Sequence, residues 1–319
     1  MNLPSRVARM IDLHVHTVIS DGTFSPQQVV QLASKRGLKA IAVTDHDAVG
    51  GVAPAQEEGQ RLGIEVVSGV ELSARSDRGI LHILGYFVRI DEPDLLESLA
   101  FLSRGRRERI PRILSRLEQN DVFVSNDEVE SEAIGGVPGR PHVAAIMLRK
   151  GYVSALQEAF DRYLKKGAPA YVEKAKLAPQ EAIEVLRKAG GVPVLAHPYS
   201  LGQEDPHRLE GVIRGLMDYG LMGVEAYYPR HTPSQTRLFL DLARRLDLVV
   251  TGGSDFHGAN KPGVELGIIP SVGPLPYRIL QSLKEAGNRT SPPFDSPSSD
   301  GLLTEGHSGS YSTHKEVPT

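Results

Sequence analysis

Short apolar segments alternate with amphipathic segments along most of the chain. Seven apolar segments are rich in β-branched residues and bounded by turn residues, which predicts β-strands. These strands are expected at 10–16, 40–46, 64–71, 80–87, 192–197, 223–228 and 248–255. Strands that alternate with helices usually form a parallel sheet with helical crossovers. Seven of them favour a barrel over an open sheet, so we expect an α/β fold.

Three of the intervening helices begin in the same way, with a small or polar residue followed by proline: Ser25-Pro26, Ala178-Pro179 and Thr232-Pro233. Proline suits the first turn of a helix because its missing N–H would have no partner there. The strand after each helix ends at a histidine or an aspartate, namely His46, His197 and Asp255. This internal repeat supports the barrel.

Two regions depart from the alternation. Residues 91–170 have a helical pattern and predict an inserted helical subdomain, which leaves 1–90 and 171–288 for the barrel. Residues 289–319 are rich in Pro, Ser and Gly and contain few large apolar side chains. We expect this C-terminal tail to be disordered, because it cannot bury enough surface to offset its chain entropy.

Composition narrows the class of protein. The 319 residues carry a formal charge of −3, which does not indicate a nucleic-acid coat or a polybasic membrane binder. No uncharged apolar run approaches the ~20 residues of a membrane span, and no signal peptide is recognisable. We therefore expect a cytoplasmic protein that does not bind membranes. The absence of cysteine excludes disulfides, thiolate metal ligands and a cysteine nucleophile.

Side chains that can bind metals recur where the predicted strands end. His14 and His16 are two apart on one strand, so both emerge on the same face. An isolated pair of this kind is a weak signal, but the other strands add further candidates: Asp21, His46, Glu71, His82, His197, Asp255 and His257. Core or surface histidines would not fall repeatedly at strand ends. The strand ends of a barrel share the rim where active sites of such barrels lie.

These motifs resemble those of a known family. The segments His14-Val15-His16, Thr44-Asp45-His46-Asp47, Gly69-Val70-Glu71, His82, Ala196-His197-Pro198 and Ser254-Asp255-Phe256-His257 are similar to the ordered motifs of the PHP (polymerase and histidinol phosphatase) superfamily. The resemblance is strongest to its stand-alone TrpH-like branch, which includes nucleoside 3′,5′-bisphosphate phosphatases with 5′-to-3′ exoribonuclease activity. It covers about 1–90 and 171–288, with a helical insertion at the same place as in that branch.

The resemblance implies a distorted (β/α)₇ barrel with three divalent metal ions. His14, His16, Glu71 and Asp255 would surround one ion. Glu71 would also bridge to a second ion held by His82 and His197, and a third would be held by Asp21, His46 and His257.

The chemistry of these residues agrees with that assignment. Nitrogen and oxygen ligands without sulfur suit Mn²⁺, which we favour, as well as Fe²⁺ or Zn²⁺. Three carboxylates cannot neutralise three divalent ions, so the site would attract a phosphate. A hydroxide that bridges two ions is a ready nucleophile, since metal binding lowers the pKa of water to about 7.

Other residues are candidates for supporting roles. Asp12, Asp45 and Asp47 either orient the ligands or cap turns. His231 follows the sixth strand and is a candidate general acid or substrate contact, or else a surface loop residue. Arg140 and His142 lie at a predicted helix N-terminus, where phosphate binds well, so we expect them to contact substrate.

Two segments have mainly structural interpretations. Residues 104–116 contain six arginines, either a funnel for a polyanion or, as we favour, a solvated helix face. Gly252 and Gly253 are expected to permit a tight strand end beside the metals.

Together these features predict a metal-dependent phosphoesterase in which a metal-bridging hydroxide attacks a terminal phosphate. The expected substrate is a small nucleotide, above all a nucleoside 3′,5′-bisphosphate, or the 5′ end of a short single-stranded RNA. The insertion would cover the barrel mouth, so stable binding of duplex nucleic acid is not expected. Two alternatives stay open: a histidinol-phosphate phosphatase, and a non-catalytic regulatory module stabilised by metal. The sequence does not indicate an oligomeric state.

Overall fold

The computed structural model describes residues 10–133, 138–270 and 272–290. Its strands are β1 (Met10–Val15), β2 (Leu38–Val43), β3 (Glu65–Ala74), β4 (Leu81–Tyr86), β5 (Val192–Leu195), β6 (Gly223–Tyr227), β7 (Val249–Gly252) and β8 (Leu275–Pro276). All seven strands predicted from the sequence are present. The eighth was not predicted, because two residues carry too little periodicity to identify a strand.

The strands form one sheet that is nearly closed into a barrel. Their spatial order is β7-β6-β5-β4-β3-β2-β1-β8. The segment after β7 returns to β1, where Val15 and Phe256 form a parallel bridge. The N–H of His16 donates to the carbonyl of Phe256 at 3.0 Å. This bridge brings the two ends of the sheet together, and the prediction of a distorted barrel is confirmed.

The expectation of a parallel sheet does not hold for β4, nor does it hold for the unpredicted β8. β4 runs antiparallel to β3 and β5, and β8 runs antiparallel to β1. The connection between β3 and β4 spans only residues 75–80, too few for the helical crossover that parallel strands need. Because β4 is reversed, its beginning lies at the rim where its neighbours end. His82 pairs there with Ser73 of β3.

Six helices pack around the sheet: α1 (Pro26–Lys35), α2 (Val52–Leu62), α7 (Pro179–Lys188), α8 (Pro206–Asp218), α9 (Pro233–Arg245) and α10 (Arg278–Thr290). The three proline-initiated helices begin where the sequence predicts. Ser25 and Thr232 each complete a capping box with a glutamine three residues later. Each box satisfies N–H groups that the first turn leaves without partners.

The inserted segment folds around an apolar cluster of its own. It contains α3 (Pro93–Glu118), α4 (Asn126–Glu132), α5 (Arg140–Arg149) and α6 (Leu156–Ala159), the last continued by a π-helical turn at Phe160–Leu164. The members of this cluster all lie between residues 110 and 172. The first half of α3 packs instead on the barrel through Leu95, Leu99 and Leu102. One continuous helix therefore fixes the insertion relative to the barrel.

The C-terminal region differs in part from the expectation. Residues 289 and 290, assigned to the disordered tail, form the end of α10, whose amphipathic pattern continues to that point. The remainder of the predicted tail, 291–319, lies outside the described residues. No described helix is both long and apolar enough to cross a membrane.

Candidate metal centre

The nine candidate ligands predicted from the sequence converge at one end of the barrel. Their ring nitrogens and carboxylate oxygens form four overlapping groups of three or four: His16-Asp21-His46-His257, His14-His16-Asp255, His14-Glu71-His197 and His46-Glu71-His82. Within each group the ligand atoms lie within 4.8 Å of one another. Strand ends bring them together, since β1, β2, β3, β5 and β7 all finish at this rim and β4 begins there.

Glu71 lies at the centre of the site and is fully buried. Its two oxygens face ring nitrogens of five histidines, at 3.2 Å for His14, 3.3 Å for His16, 3.0 Å for His46, 2.8 Å for His82 and 2.8 Å for His197. Oε2 faces the rings of His14, His16 and His46, and Oε1 faces those of His82 and His197. A carboxylate in this position can bridge two cations.

Asp255 and Asp21 supply the other carboxylates. Asp255 Oδ1 lies 3.3 Å from His16 Nε2 and 3.3 Å from His257 Nδ1. Asp21 Oδ1 lies 3.2 Å from His257 Nε2. Thus His16 and His257 stand between the two carboxylates, with their ring centroids only 4.0 Å apart.

Two buried ring nitrogens test whether this donor set fits a metal. His16 Nε2 and His46 Nδ1 are closed to solvent and have no hydrogen-bond partner among the described residues. An unpartnered buried polar atom is costly, so native proteins rarely retain one without a function. Both nitrogens point at Glu71 from about 3 Å. The arrangement fits divalent cations that prefer nitrogen and oxygen ligands.

The protonation states also suit cations. Burial opposes the ionised form of Glu71, but His46 and the neighbouring imidazoles outweigh it and hold its pKa well below the usual range. Burial lowers the pKa of His46 and His82, which favours the neutral rings that bind metal. His14 and His16 differ, because nearby carboxylates outweigh the effect of burial on their charged forms. Glu225 and Glu71 hold the pKa of His14 well above its usual range, and Asp255 and Glu71 raise the pKa of His16 to about 9. A bound cation would therefore displace a proton from each of these rings.

Asp12 and Asp45, two of the three predicted orienting aspartates, accept hydrogen bonds from backbone and hydroxyl groups and not from imidazole rings. Asp12 accepts hydrogen bonds from Ser254 N at 2.9 Å and Gly267 N at 2.7 Å, which ties β1 to the loop that carries Asp255. Asp45 accepts from Thr17 N and from Ser20 Oγ, at 2.7 and 2.6 Å. These bonds fix the chain on both sides of the candidate ligands.

Asp47 links the candidate metal centre to the insertion. Its carboxylate accepts from Ser73 N at 2.7 Å, from Arg106 Nη2 at 2.7 Å and from Lys174 Nζ at 3.1 Å. The two cations lower the pKa of Asp47 despite its burial. Since Asp47 directly follows His46, α3 is joined to the rim of the barrel.

Sequence reasoning missed Glu225. This fully buried side chain of β6 lies 2.9 Å from His14 Nδ1 through Oε1 and accepts the N–H of His197 at 2.8 Å through Oε2. A carboxylate bound to Nδ1 leaves Nε2 of His14 free for a cation. The available signal was a single acidic residue in the otherwise apolar strand Gly223–Tyr227.

Three residues of the site have left-handed backbone conformations. They are Asp47, His197 and Asp255, with φ of 53°, 27° and 54°. Non-glycine residues are strained in this region, and such strain concentrates at functional sites. Gly253 is needed for a different reason: the backbone packs closely against β1, and a Cβ at this position would lie 2.3 Å from His14 Cβ. The expectation of a tight strand end at Gly253 is confirmed.

Tyr228 and Lys261 were also missed as neighbours of the candidate ligands. The Tyr228 hydroxyl donates to Asp255 Oδ2 at 2.6 Å, and Lys261 Nζ forms an ion pair with the same oxygen. Asp255 therefore turns one oxygen toward the histidines and the other toward these two donors. Tyr228 lies 27 positions before Asp255 in the chain, and Lys261 lies in a loop without periodicity. No sequence pattern therefore indicated either contact.

The structure places Arg140 and His142 at the start of α5, as predicted. His142 is 5% exposed, and its Nδ1 accepts the N–H of Gly139 at 3.0 Å. Burial lowers the pKa of His142, and the carboxylate of Asp21 partly offsets that effect. Burial also lowers the pKa of Arg140, with Asp21 again among the opposing charges. Both side chains therefore lie within the electrostatic reach of the candidate metal centre.

The favoured interpretation of the arginine run as a solvated face is wrong for two of its members. Arg106 and Arg109 are 7% and 6% exposed, whereas the other four arginines of the run are exposed. They occupy the face of α3 that turns toward the barrel and α5. The sequence did not indicate the burial of these two arginines, because charged residues occupy both faces of the helix in this region.

His231 lies inside an aromatic cluster. Its ring is 3% exposed, contacts Tyr199, Tyr228 and Phe239, and approaches the carbonyl of Ala226 at 3.0 Å through Nδ1. Its Nε2 is closed to solvent and has no hydrogen-bond partner in the part of the chain that the structure describes. Contact with a leaving group would require Tyr199 or Tyr228 to move, and a general-acid role stays a prediction.

Comparison with known proteins identifies the family. A family model described as "PHP domain" matches residues 12–174, a range that contains six of the nine candidate ligands. The chain belongs to the PHP family. It is a metal-dependent hydrolase of phosphate esters, as the sequence predicts.

Several curated PHP relatives resemble the chain over most of its length. A "5'-3' exoribonuclease Rnm" of Escherichia coli is 32% identical and covers 82% of this chain and 89% of its own. A "3',5'-nucleoside bisphosphate phosphatase" of Chromobacterium violaceum is 30% identical, with 86% and 96% covered. A "Phosphoribosyl 1,2-cyclic phosphate 1,2-diphosphodiesterase" of Eggerthella lenta is 36% identical, with 82% and 97% covered.

A solved structure supports the same PHP-type fold. It is described as a "putative metal-dependent phosphoesterase" of Bifidobacterium adolescentis. The two chains superpose with a TM-score of 0.78 and are 29% identical, over 87% of this chain and 96% of the other.

Proposed function

We propose that the candidate metal centre holds three divalent ions, with Mn²⁺ favoured. One ion would be bound by His14, His16, Glu71 and Asp255, the second by Glu71, His82 and His197, and the third by Asp21, His46 and His257. The shared use of Glu71 is supported by its central position between five imidazoles. Bound ions would supply a water of lowered pKa as nucleophile and would offset the charge of the phosphate.

The residues around the ions prepare the site for this chemistry. Glu225 contacts Nδ1 of His14, which leaves Nε2 directed at the other candidate ligands. Asp12 and Asp45 hold the chain on either side of these ligands. Tyr228 and Lys261 bind the outer oxygen of Asp255 and keep the inner one directed at the histidines. These contacts fix the donor atoms before substrate arrives, which limits reorganisation during the reaction.

We propose that the substrate is a nucleoside 3′,5′-bisphosphate or the 5′ end of a short single-stranded RNA, from which a terminal phosphate ester is hydrolysed. The names of the Chromobacterium and Escherichia relatives support this substrate class. Arg140 and His142, at the start of α5, would contact a phosphate of the substrate. The insertion would cover the barrel mouth and limit entry to small or single-stranded molecules.

The observation that carries the proposal is the convergence of the nine candidate ligands at one end of the barrel, with only three carboxylates among them. Three divalent ions would leave this site positively charged, which favours a phosphate ester. Asp255→Asn should abolish hydrolysis while the fold persists, because it removes one of those carboxylates. Asp241→Asn, on the surface of α9, serves as the matched control.

A substrate panel tests the choice of ester. Protein loaded with Mn²⁺ should hydrolyse adenosine 3′,5′-bisphosphate or a 5′-phosphorylated oligoribonucleotide faster than histidinol phosphate. The Eggerthella relative adds a cyclic phosphodiester as a competitor to include. Faster turnover of either competitor would contradict the proposed substrate. Mass-spectrometric metal analysis of the same samples should find three equivalents of metal per chain.

A further inference from the structure

A cavity opens between the turn that follows β5 and the helices α8 and α9. Its volume is about 370 Å³. Apolar side chains and two amide side chains line it: Tyr199, Gln203, Leu209, Gln235, Leu238 and Phe239. Cavities of this size that combine apolar walls with a few polar groups are typical of sites for small organic groups.

Aromatic rings connect this cavity to the candidate metal centre. Tyr199, which lines the cavity, has its ring centroid 6.4 Å from that of the candidate ligand His197. Tyr199 also stacks on Tyr228, with centroids 5.6 Å apart, and the hydroxyl of Tyr228 donates to Asp255. A molecule that is bound at the metals can therefore place an adjoining group in the cavity.

The lining of the cavity suits an uncharged group. Among the described residues that line it, only Glu204 carries a charge, and its carboxylate would repel a phosphate. The amide oxygen of Gln203 accepts the N–H of Asp205 at 3.4 Å, and that of Gln235 accepts the N–H of Thr232 at 2.9 Å. These bonds do not use the NH₂ groups, which can donate to the carbonyl oxygens and ring nitrogens of a nucleobase.

Arg230 adds a second planar group beside the cavity. Its side chain is exposed, and its guanidinium carbon lies 5.2 Å from the ring centroid of Tyr199. Nucleobases stack on aromatic rings and on the plane of a guanidinium group. Tyr199 and Arg230 thus offer a base two surfaces for stacking, next to amide donors for its edge.

The cavity and the insertion lie at different ends of a row of imidazoles. The rings of His46, His82 and His197 follow one another, with successive centroids 4.9 and 5.3 Å apart. Asp47, which directly follows His46, binds helix α3 of the insertion, whereas Tyr199 adjoins His197 at the other end. A phosphate at the metals therefore has the insertion on one side and the cavity on the other.

We infer that this cavity, with Tyr199 in its wall and Arg230 beside that ring, binds the base of the nucleotide that follows the scissile phosphate in a short RNA. The inference rests on the proposed function and deepens it. A nucleoside 3′,5′-bisphosphate ends at its 3′ phosphate and has no group for the cavity, whereas a dinucleotide fills it. The cavity thus becomes a determinant of how well RNA is hydrolysed relative to a bisphosphate.

The first test changes the substrate and leaves the protein intact. The 5′-phosphorylated dinucleotide of adenosine is compared with the same dinucleotide whose second ribose lacks its base. Both molecules carry the same phosphates, so a difference in hydrolysis measures the second base. With Mn²⁺ we expect kcat/KM of the wild type to be about 5- to 100-fold higher when that base is present, the effect typical of one stacked base. Equal values of kcat/KM would overturn the inference.

Tyr199→Leu tests the stacking surface and keeps much of the apolar volume. It should reduce the advantage of the second base to less than about twofold, since the aromatic face is lost. Tyr219→Leu, at the exposed end of α8, is the control and should keep the full advantage. The advantage is a ratio on one protein, so general damage to the metal centre cancels. An unchanged ratio in Tyr199→Leu would overturn the inference. Equal losses on the intact dinucleotide and adenosine 3′,5′-bisphosphate would assign the cavity to the first base and overturn it too.

Arg230→Met provides a second variant should Tyr199→Leu fail to fold, because Arg230 is exposed. Loss of the guanidinium plane should reduce the advantage of the second base at least about threefold. Arg237→Met is the control, since Arg237 is exposed on α9 and should leave the advantage unchanged. The same advantage in Arg230→Met as in the wild type would overturn the inference.

Failure of the proposed function would be recognised separately. In that case the wild type would hydrolyse neither dinucleotide nor adenosine 3′,5′-bisphosphate. Calorimetric titration with the two dinucleotides would still measure the cavity. A Kd of the wild type at least about fivefold tighter for the intact dinucleotide, with this difference lost in Tyr199→Leu, supports the inference. Equal Kd values for the two dinucleotides overturn it.

Discussion

Glu225→Gln is the smallest change that tests how the fold prepares the metal centre. The wild-type carboxylate uses one oxygen on His14 Nδ1 and the other on the N–H of His197. Glutamine has the same shape but offers a single acceptor oxygen, and its NH₂ group is a donor. The NH₂ group must therefore face either the His197 N–H, which is also a donor, or Nδ1 of His14, which would then have to act as an acceptor.

Both orientations of the amide have a measurable cost. An NH₂ group facing His14 would favour the tautomer with its proton on Nε2, the nitrogen that faces Glu71 and Asp255. An NH₂ group facing His197 would leave a buried backbone N–H without an acceptor, at a cost of about 1–3 kcal/mol. Loss of a carboxylate that orients a ligand typically weakens metal binding by about 10- to 100-fold.

Equilibrium dialysis with Mn²⁺ and metal analysis of both compartments measures this effect. Glu225→Gln should retain a native circular dichroism spectrum and bind its most weakly held ion at least tenfold more weakly than the wild type does. Glu210→Gln is the matched control, because Glu210 lies on α8 and forms ion pairs with Arg214 of the same helix and Arg245 of α9. A folded Glu225→Gln protein with wild-type affinity for Mn²⁺ would refute the reasoning.

Three further predictions follow from other parts of the structure. Burial, only partly offset by Asp47, lowers the pKa of Lys174 to about 8 from 10.5, so the unfolded chain binds more protons between these pH values and the free energy of unfolding rises with pH. Lys174→Met should reduce the slope of unfolding free energy against pH by up to about 1.4 kcal/mol per pH unit. Urea titrations of the wild type and the variant from pH 8 to 10 measure this slope, and identical slopes for the two proteins would contradict the prediction. Gly253→Ala should destabilise the fold by about 1–3 kcal/mol, since its Cβ would collide with His14, and an unchanged Tm would show that the strand end relaxes. Removal of divalent metal should lower Tm, and Mn²⁺ at about 100 times its Kd should restore about 2.7 kcal/mol; a Tm insensitive to both treatments would argue against a metal bound to the native state.

The sequence alone determined features that depend on neighbouring residues. The spacing of His14 and His16 fixed their common face, because side chains alternate along a strand; their rings lie 5.1 Å apart. The capping motifs at Ser25 and Thr232 located helix starts, because a cap involves residues only three apart. The alternation of strands and helices indicated a barrel, and the family resemblance added its distorted form, since the family's motifs occur in a fixed order along the chain.

Tertiary structure decided what depends on residues distant in the chain. The reversal of β4 follows from a short connection and from the pairing of its other side with β5, and apolar periodicity is the same in both strand directions. The contact of Glu225 with His14 spans 211 positions, so no local pattern contains it. Arg109 and Arg112 are chemically identical on one helix, and only the packing of that helix buries the first and exposes the second. Residue types thus indicated a metal-binding rim, while packing decided which charged side chains surround it and which of them are buried.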